Sequence, residues 1–264
     1  MLPRRDLLAR MVVERGFVRV SDASDELGVS AVTVRSDLTA LEASGVLQRV
    51  HGGAVSRGSS ELPLERSLQS SADEKRLIAL AAASMVRSGD SVLLDVGSTT
   101  AAVARALVAR EDLRDVTVIT NGLTIALELE PAIPRLLVVV TGGTLRPLQH
   151  SLVAPLAAVL LEHVHADLAI IGCNGVHADD GVTNINLPEA ELKRAMVAAA
   201  SRAIVVADGS KIGGVQLGRI APLAAFDAVI TGASADARAL DALRTVGGPS
   251  VTVVELPSAG GGAQ

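Results

Sequence analysis

Apolar residues near the start of the chain recur three or four positions apart, which is the spacing of a helix face. One such face is formed by Leu7, Leu8, Met11 and Val12, so the spacing predicts a helix over residues 4–15 that Gly16 stops. Further helices follow before the pattern changes.

Serines mark the start of two further helices. Ser21 is predicted to cap a short second helix that ends at Leu27-Gly28, and Ser30 is predicted to cap a third that Gly45 ends. The apolar positions of the third helix keep helical spacing and are predicted to face a core. They are Ala31, Val34, Leu38 and Leu41.

The run VLQRVHGGAV then alternates as a hairpin does, with Gly52-Gly53 near the turn. Three helices and a hairpin in about 55 residues are typical of a winged helix-turn-helix. In that arrangement Gly28-Val29-Ser30 forms the tight turn and the third helix is presented to the major groove of DNA.

After a helix from about Asp73 to Val86, ended by Gly89, short apolar runs alternate with helical ones. The predicted strands are SVLLDV, VTVIT, LLVVVT, ADLAIIG, AIVVA, DAVIT and VTVVEL. The predicted helices are Thr100 to Ala109, Leu123 to Leu129, Leu152 to His163, Pro188 to Ser201 and Ala235 to Val246. Continuous apolar strands separated by helices predict an open, mostly parallel, Rossmann-like α/β sheet covered on both faces.

These patterns divide the chain into two domains. Residues 1–57 form the winged helix-turn-helix, and residues 58–72 are predicted to be a linker because they carry Gly, Pro and Ser without a clean period. Residues 73–256 form the larger α/β domain, and residues 257–264 are predicted to be a disordered tail.

Composition narrows the possible partners. The chain has two Phe and no Trp or Tyr, which disfavours binding of single-stranded nucleic acid by aromatic stacking. The net charge is −5, yet residues 1–57 hold 8 Lys and Arg against 7 Asp and Glu, so DNA contacts are expected there. A single Cys and apolar runs too short to span a bilayer favour a cytoplasmic protein with no membrane contact.

The third helix and the hairpin carry the candidate DNA contacts. Arg35 can bond a guanine edge or a phosphate, and Arg49 on the hairpin can touch the backbone. The predicted DNA-binding residues are Ser30, Thr33, Arg35, Ser36, Thr39, Arg49 and His51. From spacing alone, a small helical packing module without DNA binding is the alternative.

Polar residues follow several of the predicted strands. The run DVGSTT, at Asp95 to Thr100, can offer backbone N–H groups and hydroxyls to an anion at a helix N-terminus, although an ordinary helix cap is an equal alternative. It lacks the Lys of a nucleotide-hydrolysing loop. Because ligands of open α/β sheets lie at the carboxyl ends of the strands, this edge predicts a small polar ligand.

Other ionisable residues have simpler interpretations. Glu189 and Lys193 are spaced i, i+4, which fits either a solvated ion pair or a pair that orients ligand hydroxyls. His163 and His165 do not have metal-ligand spacing, and Cys173 is predicted to be a small core residue. No metal, cofactor or catalytic set is therefore predicted.

The stretch LGVSAVTVRSDLTALEASGVLQRVHGGAV closely resembles the DNA-binding signature of the DeoR family of bacterial transcriptional regulators. The likeness extends through the predicted hairpin. One position departs from the family pattern, because a second basic residue commonly follows Arg35 and this chain has Ser36.

The larger domain resembles the DeoR sensor domain, which is similar in fold to sugar-phosphate isomerases. The resemblance implies an effector site built from a phosphate loop and polar motifs at the strand ends. Its residues are Asp95, Gly97, Ser98, Thr99, Thr100, Thr120, Asn121, Gly142, Gly143, Arg146, Glu189, Lys193, Asp208 and Lys211, with Ser210 in the Asp-x-Ser-Lys run. Two positions depart: Ala154 replaces a usual Gly, and Gly232 replaces a common Asp.

The resemblance implies a repressor of carbohydrate-metabolism genes that binds double-stranded operator DNA and is controlled by a phosphorylated sugar or related metabolite. A homo-oligomer, dimer or tetramer, is expected because one winged helix makes a small footprint. Two alternatives stay open: a sugar-phosphate isomerase-like enzyme with a DNA-binding appendage, and a regulator whose sensor pocket serves only oligomerisation.

Overall fold

The computed structural model describes residues 3–15, 17–44, 46–50, 52–56, 61 and 63–255. The first domain has the predicted helix-turn-helix and hairpin, with one additional strand. Its elements are α1 (Arg4–Arg15), β1 (Phe17–Arg19), α2 (Val20–Leu27), α3 (Ala31–Ala43), β2 (Leu47–Val50) and β3 (Gly53–Ser56). The strands form an antiparallel sheet in the order β1-β3-β2, so the hairpin is confirmed, and β1 is the strand that the sequence pattern did not reveal.

The caps of these helices are partly as predicted. Ser30 caps α3, because its hydroxyl accepts a hydrogen bond from the backbone N–H of Thr33 at 3.2 Å. The cap predicted for α2 is wrong, since the helix already begins at Val20 and the Ser21 hydroxyl donates to Asp22 instead. Gly28 ends α2 with a φ of 64°, a conformation that favours glycine. The stops predicted at positions 16 and 45 lie outside the described residues.

The second domain is the predicted α/β fold. Its helices are α4 (Leu64–Gln69), α5 (Ala72–Ala83), α6 (Ser98–Ala109), α7 (Leu123–Leu129), α8 (Leu156–Leu161), α9 (Leu187–Ala198) and α10 (Ala237–Thr245). Its strands are β4 (Ser91–Leu94), β5 (Val116–Thr120), β6 (Leu136–Val140), β7 (Thr144–Arg146), β8 (Ser151–Val153), β9 (Ala166–Gly172), β10 (Gly175–His177), β11 (Gly181–Asn184), β12 (Ala200–Val206), β13 (Gly218–Ala221), β14 (Ala228–Gly232) and β15 (Ser250–Val254).

Seven of these strands form a parallel sheet in the order β15-β14-β12-β9-β4-β5-β6. Its central strands are mainly apolar because helices cover both faces. One core packs α5 and α6 against one face, and the other packs α8, α9 and α10 against the opposite face. Strand order reverses between β4 and β9, and the carboxyl ends of the strands at such a reversal are where open α/β sheets of the Rossmann kind bind ligands.

Several predicted elements differ from the structure, among them the helix predicted from Pro188 to Ser201, which ends at Ala198. The helix predicted from Leu152 to His163 is wrong in its first part, because Ser151–Val153 pairs with Thr144–Arg146 as a hairpin and α8 begins only at Leu156. The helix predicted to reach Val86 ends at Ala83. The segment predicted as a linker contains α4, whose Leu64 is buried against the large domain.

The two domains touch beside the small antiparallel sheet β10-β11-β13. Arg19 of β1 forms an ion pair with Asp180 and lies 3.8 Å from Asp179, and a cavity of about 810 Å³ separates the domains there. Within the described part of the chain, no helix is long and apolar enough to cross a membrane.

Candidate functional site

Helix α3 presents a polar face to solvent and buries the opposite face. Val34 and Leu38 are buried in the core of the small domain, as predicted from their spacing. Arg35, Ser36 and Thr39 are exposed on the outer face. The helix therefore offers these side chains to a partner without any rearrangement of the core.

The hairpin is tied to this helix by Arg49. Its guanidinium donates to the Thr39 hydroxyl at 2.9 Å, and its backbone N–H donates to Glu42 at 2.8 Å. Thr39 in turn donates to the carbonyl of Arg35 at 2.8 Å. The predicted contacts Arg35, Thr39 and Arg49 thus form one connected surface, while His51 lies outside the described residues.

A buried carboxylate fixes the tilt of α3. Asp37 is 2 % exposed and accepts hydrogen bonds from Arg4 at 2.7 Å and from Arg5 at 2.9 Å. The bonds from these two arginines hold the pKa of Asp37 below its ordinary value. Arg4 and Arg5 therefore join α1 to α3 through Asp37.

In the large domain, Asp95 lies at the point where the strand order reverses. It follows β4 and is fully buried, and its Oδ2 accepts the backbone N–H of Gly172, at the end of β9, at 3.0 Å. Its other oxygen, Oδ1, is buried and has no hydrogen-bond partner among the described residues. Burial raises the pKa of Asp95 to about 6, although the nearby Lys193 ammonium opposes that rise.

Glu189 and Lys193 lie on the buried side of α9, and each has a partner of its own. Lys193 bonds Asp95 Oδ2 and donates to the carbonyl of Gly172 at 3.0 Å. Burial alone would lower the pKa of Lys193, but the charges of Asp95 and Glu189 outweigh it and raise the pKa. Both side chains are at most 3 % exposed, so the interpretation as a solvated ion pair is wrong.

Glu189 is held by a ring of donors. Ser151 donates to it at 2.5 Å, Asn184 donates at 3.3 Å, and Arg146 forms an ion pair with it. Asn186 caps α9 by accepting the backbone N–H of Glu189. These donors come from three separate segments, so the carboxylate has one well-defined position.

The predicted phosphate loop leads into α6. Gly97 has a φ of 141°, and the Thr100 hydroxyl donates to its carbonyl at 3.0 Å. Thr99 and Thr100 are buried, whereas Ser98 is half-buried at the helix N-terminus. The loop therefore keeps Ser98 and the first N–H groups of α6 available, which is the geometry that an anion requires.

Other predicted site residues brace the loop. Asn121 is fully buried, accepts the N–H of Val96 at 3.0 Å and lies 3.5 Å from the carbonyl of Leu152. Thr120 accepts the N–H of Gly122 at 3.1 Å. These hydrogen bonds fix the backbone that follows β4, at Val96, and the backbone that follows β5, at Gly122.

The Gly-Gly pair has a packing role. Both glycines have positive φ, 71° at Gly142 and 123° at Gly143. A Cβ on Gly143 would lie 2.1 Å from the carbonyl oxygen of Val153. Glycine is required here because the hairpin of β7 and β8 folds back tightly, which places Arg146 and Ser151 beside Glu189.

The far end of the site carries Asp208, Ser210 and Lys211. Asp208 accepts from the backbone N–H of Ser210 at 3.1 Å and starts a 3-10 helix, Gly209–Lys211. Lys211 is half-buried, and its ammonium group has no ion-pair or hydrogen-bond partner within the described ranges. Burial raises the pKa of the Cys173 thiol to about 12, against the charges of Lys193 and Lys211, which disfavours the nucleophilic thiolate form.

Two site residues of α5 were not predicted from the sequence. Lys75 is 4 % exposed and lies 3.7 Å from Asp208. Glu74 accepts from the N–H groups of Gly209 and Ser234, and its carboxylate fills the space beside Gly232. Charged residues on a predicted helix are normally expected at its surface. The sequence therefore gives no sign that Glu74 and Lys75 are buried in the site.

Comparison with known proteins assigns both domains. Residues 4–60 match a family model described as the DeoR-like helix-turn-helix domain, and residues 70–233 match the DeoR C terminal sensor domain. The chain is 34% identical over 230 residues to the HTH-type transcriptional regulator GolR of Listeria innocua, covering 86% of this chain and 89% of that protein. It is 27% identical over 231 residues to the Glycerol-3-phosphate regulon repressor of Escherichia coli, covering 87% and 90%.

A solved structure was also matched over about half of the chain. Ribose 5-phosphate isomerase A from Methanocaldococcus jannaschii aligns with a TM-score of 0.40 at 21% identity, covering 54% of this chain and 55% of that chain.

Proposed function

Since the chain belongs to the DeoR family of transcriptional regulators, we propose that it represses carbohydrate-metabolism genes and that a phosphorylated sugar controls its DNA binding. The exposed face of α3 binds operator DNA, and the crevice at Asp95 binds the effector. The effector weakens DNA binding because it has a higher affinity for the arrangement that does not fit the operator.

The observation that carries the effector proposal is Asp95 Oδ1, a buried carboxylate oxygen without a partner among the described residues. Leaving such an atom unsatisfied is costly, and a ligand hydroxyl at the crevice would satisfy it. The same edge of the sheet holds the N-terminus of α6 and the unpaired ammonium of Lys211, which attract an anion. Hydroxyls with an anionic group describe a sugar phosphate, and one relative is named as a glycerol-3-phosphate regulon repressor.

We expect one phosphorylated sugar, and not its unphosphorylated parent, to stabilise the protein in a thermal-shift screen. An excess of 100-fold over the dissociation constant contributes about 2.7 kcal/mol. Ser98→Glu is expected to abolish that shift, because its carboxylate lies where the phosphate binds. Ser84→Glu, at an exposed position on the end of α5, is the control and keeps the shift.

Three results would contradict this proposal in different ways. An unchanged shift in Ser98→Glu removes the loop from the site. No shift with any sugar phosphate favours a pocket that serves only oligomerisation. Turnover of the bound sugar phosphate identifies an enzyme, with Asp95, Glu189 and Lys193 as the groups to test for acid-base chemistry.

Arg35→Ala is expected to weaken binding to operator DNA by about 1–3 kcal/mol, or roughly 5- to 150-fold, because Arg35 is exposed on the outer face of α3. Fluorescence anisotropy with a duplex selected from a random pool by the unmodified protein measures this. Arg244→Ala, which removes an exposed arginine from α10, is the matched control. Equal affinity of the Arg35→Ala protein for the duplex would exclude Arg35 from the interface.

We also propose a homo-oligomer, a dimer or tetramer, because one winged helix reads only one half-site. Strand β6 supports this proposal as an edge of the large sheet that exposes apolar side chains. Leu137 on β6 is 59% exposed, and Leu127 on the adjacent α7 is 68% exposed. Exposed apolar side chains at a sheet edge favour association with a second copy.

A further inference from the structure

The segment that joins the two domains is fastened to the large domain at both ends of α4. Before the helix, Glu61 accepts a hydrogen bond from Arg146 at 2.6 Å, and Leu64 donates its N–H to the carbonyl of Leu148 at 3.0 Å. After it, Lys75 donates to the carbonyls of Ser67 and Ser70, each at 2.7 Å. We call residues 61–70, of which residue 62 is not described, the connecting segment.

Each of the two fastening cations also faces a carboxylate of the candidate effector site. Arg146 binds Glu189 through its second terminal nitrogen, and Lys75 lies 3.7 Å from Asp208. The side chains of Arg146 and Glu61 are only 18% and 10% exposed, so water screens this ion pair weakly. The position of the connecting segment therefore depends on the same charges that surround the crevice.

On the basis of the proposed function, we propose that Arg146 couples effector binding to release of the connecting segment. In the structure the guanidinium pairs with both Glu61 and Glu189. An anionic group entering the crevice competes with Glu61 for Arg146, because the guanidinium has a fixed number of donors in one plane. When the effector binds Arg146, Glu61 loses its partner and α4 is held less firmly.

Release of this segment would change DNA binding without any contact between the effector and DNA. The docked segment fixes where each winged helix leaves its large domain, and hence the spacing of two winged helices in an oligomer. Half-site recognition depends on that spacing. An undocked segment lets the spacing vary, so the operator is bound less tightly.

Thermodynamic linkage allows two tests of the proposal: the effect of the effector on docking, and the effect of weaker docking on effector affinity. If the effector weakens docking of the segment, then weakening the docking by mutation must strengthen effector binding, by at most the factor by which docking is weakened. A merely structural role of Glu61 predicts the opposite, because a loosened site binds its ligand less well. The direction of the affinity change therefore separates the two explanations.

The test compares Glu61→Gln with Glu65→Gln in the full-length protein. Glu65 lies four residues further along and its side chain is 63% exposed, which makes it a matched control. Hydrogen exchange of residues 64–69 and the affinity for glycerol 3-phosphate and inorganic phosphate are measured for each. We expect Glu61→Gln to exchange at least about 5-fold faster without ligand and to bind phosphate about 5-fold tighter, with Glu65→Gln unchanged.

In the unmodified protein, saturation with the phosphate compound is expected to raise exchange at 64–69. Binding without that rise, or weaker binding by Glu61→Gln, overturns the coupling and leaves the effector proposal standing. If none of the phosphate compounds, including the sugar phosphates of the thermal-shift screen, binds the unmodified protein, the proposed effector class fails and the coupling fails with it.

Discussion

Replacing Lys193 with methionine is expected to lower the free energy of unfolding by about 3–5 kcal/mol at neutral pH, measured by urea denaturation. The substitution leaves Asp95 fully buried without its cation. Lys211→Met is the matched control for stability, since the half-buried side chain of Lys211 has no ion-pair or hydrogen-bond partner in the described part of the chain. A loss as small as that of Lys211→Met would show that the buried pair does not stabilise the fold.

The pH dependence follows from the pKa of Asp95. Its folded value of about 6 exceeds the ordinary value of 3.8, so the folded state binds more protons and this group makes stability fall as pH rises between those values. Without Lys193 the folded pKa of Asp95 rises further, and the fall extends to higher pH. The penalty of Lys193→Met is therefore largest at neutral pH and shrinks towards pH 5, while the double variant Asp95→Asn/Lys193→Met regains part of the loss.

Gly232→Asp is expected to destabilise the protein by about 3 kcal/mol, although it restores the residue that the family commonly carries. A Cβ at this position would lie 1.9 Å from Glu74 Oε1. The new carboxylate would also be buried beside the existing one, which adds like-charge repulsion. In this chain Glu74 occupies the space that a side chain at position 232 would fill. The site therefore has room for a carboxylate from position 74 or from position 232, but not from both.

The double variant Glu74→Ala/Gly232→Asp tests this exchange. It is expected to regain about half of the stability lost in Gly232→Asp, because the clash and the second charge are both removed. Gly247→Asp is the control for a glycine with open space around it, and its cost is limited to about 1–2 kcal/mol for a positive φ of 74°. No recovery in the double variant would show that Glu74 does not fill the role of the missing Asp.

The strands of the large sheet were predicted well because burial on both faces produces an unbroken apolar run. The predicted runs at 116–120 and 166–172 match β5 and β9 over their full length. The hairpin of β7 and β8 was missed because its two strands are three residues each and pair only after Gly143 turns the chain. Such short strands have no periodicity that distinguishes them from loops or helices.

In the candidate site, too, residues were predictable from local sequence motifs, whereas contacts between distant segments were not. Asp95, Glu189 and Lys193 were predicted as site residues, and the structure brings them together. Their partners were not predictable, because a charge spaced i, i+4 from another gives no sign of whether the helix face is buried. Arg146 was predicted to bind an effector, but its link to Glu61 spans 85 residues and required the fold.

The long sequence separations between contacting site residues also determine when each domain can fold during synthesis. The DNA-binding domain is complete once residue 56 has been synthesised, whereas Asp95 acquires its partners only with Gly172 and Lys193, 77 and 98 residues later. Glu74 can accept its hydrogen bond from Ser234 only after a further 160 residues have been synthesised. Domains fold as units during synthesis. A ribosome that stops early is therefore expected to release a winged helix that can reach DNA but lacks the proposed effector site. Under the proposed function, control by the effector therefore requires translation of the large domain.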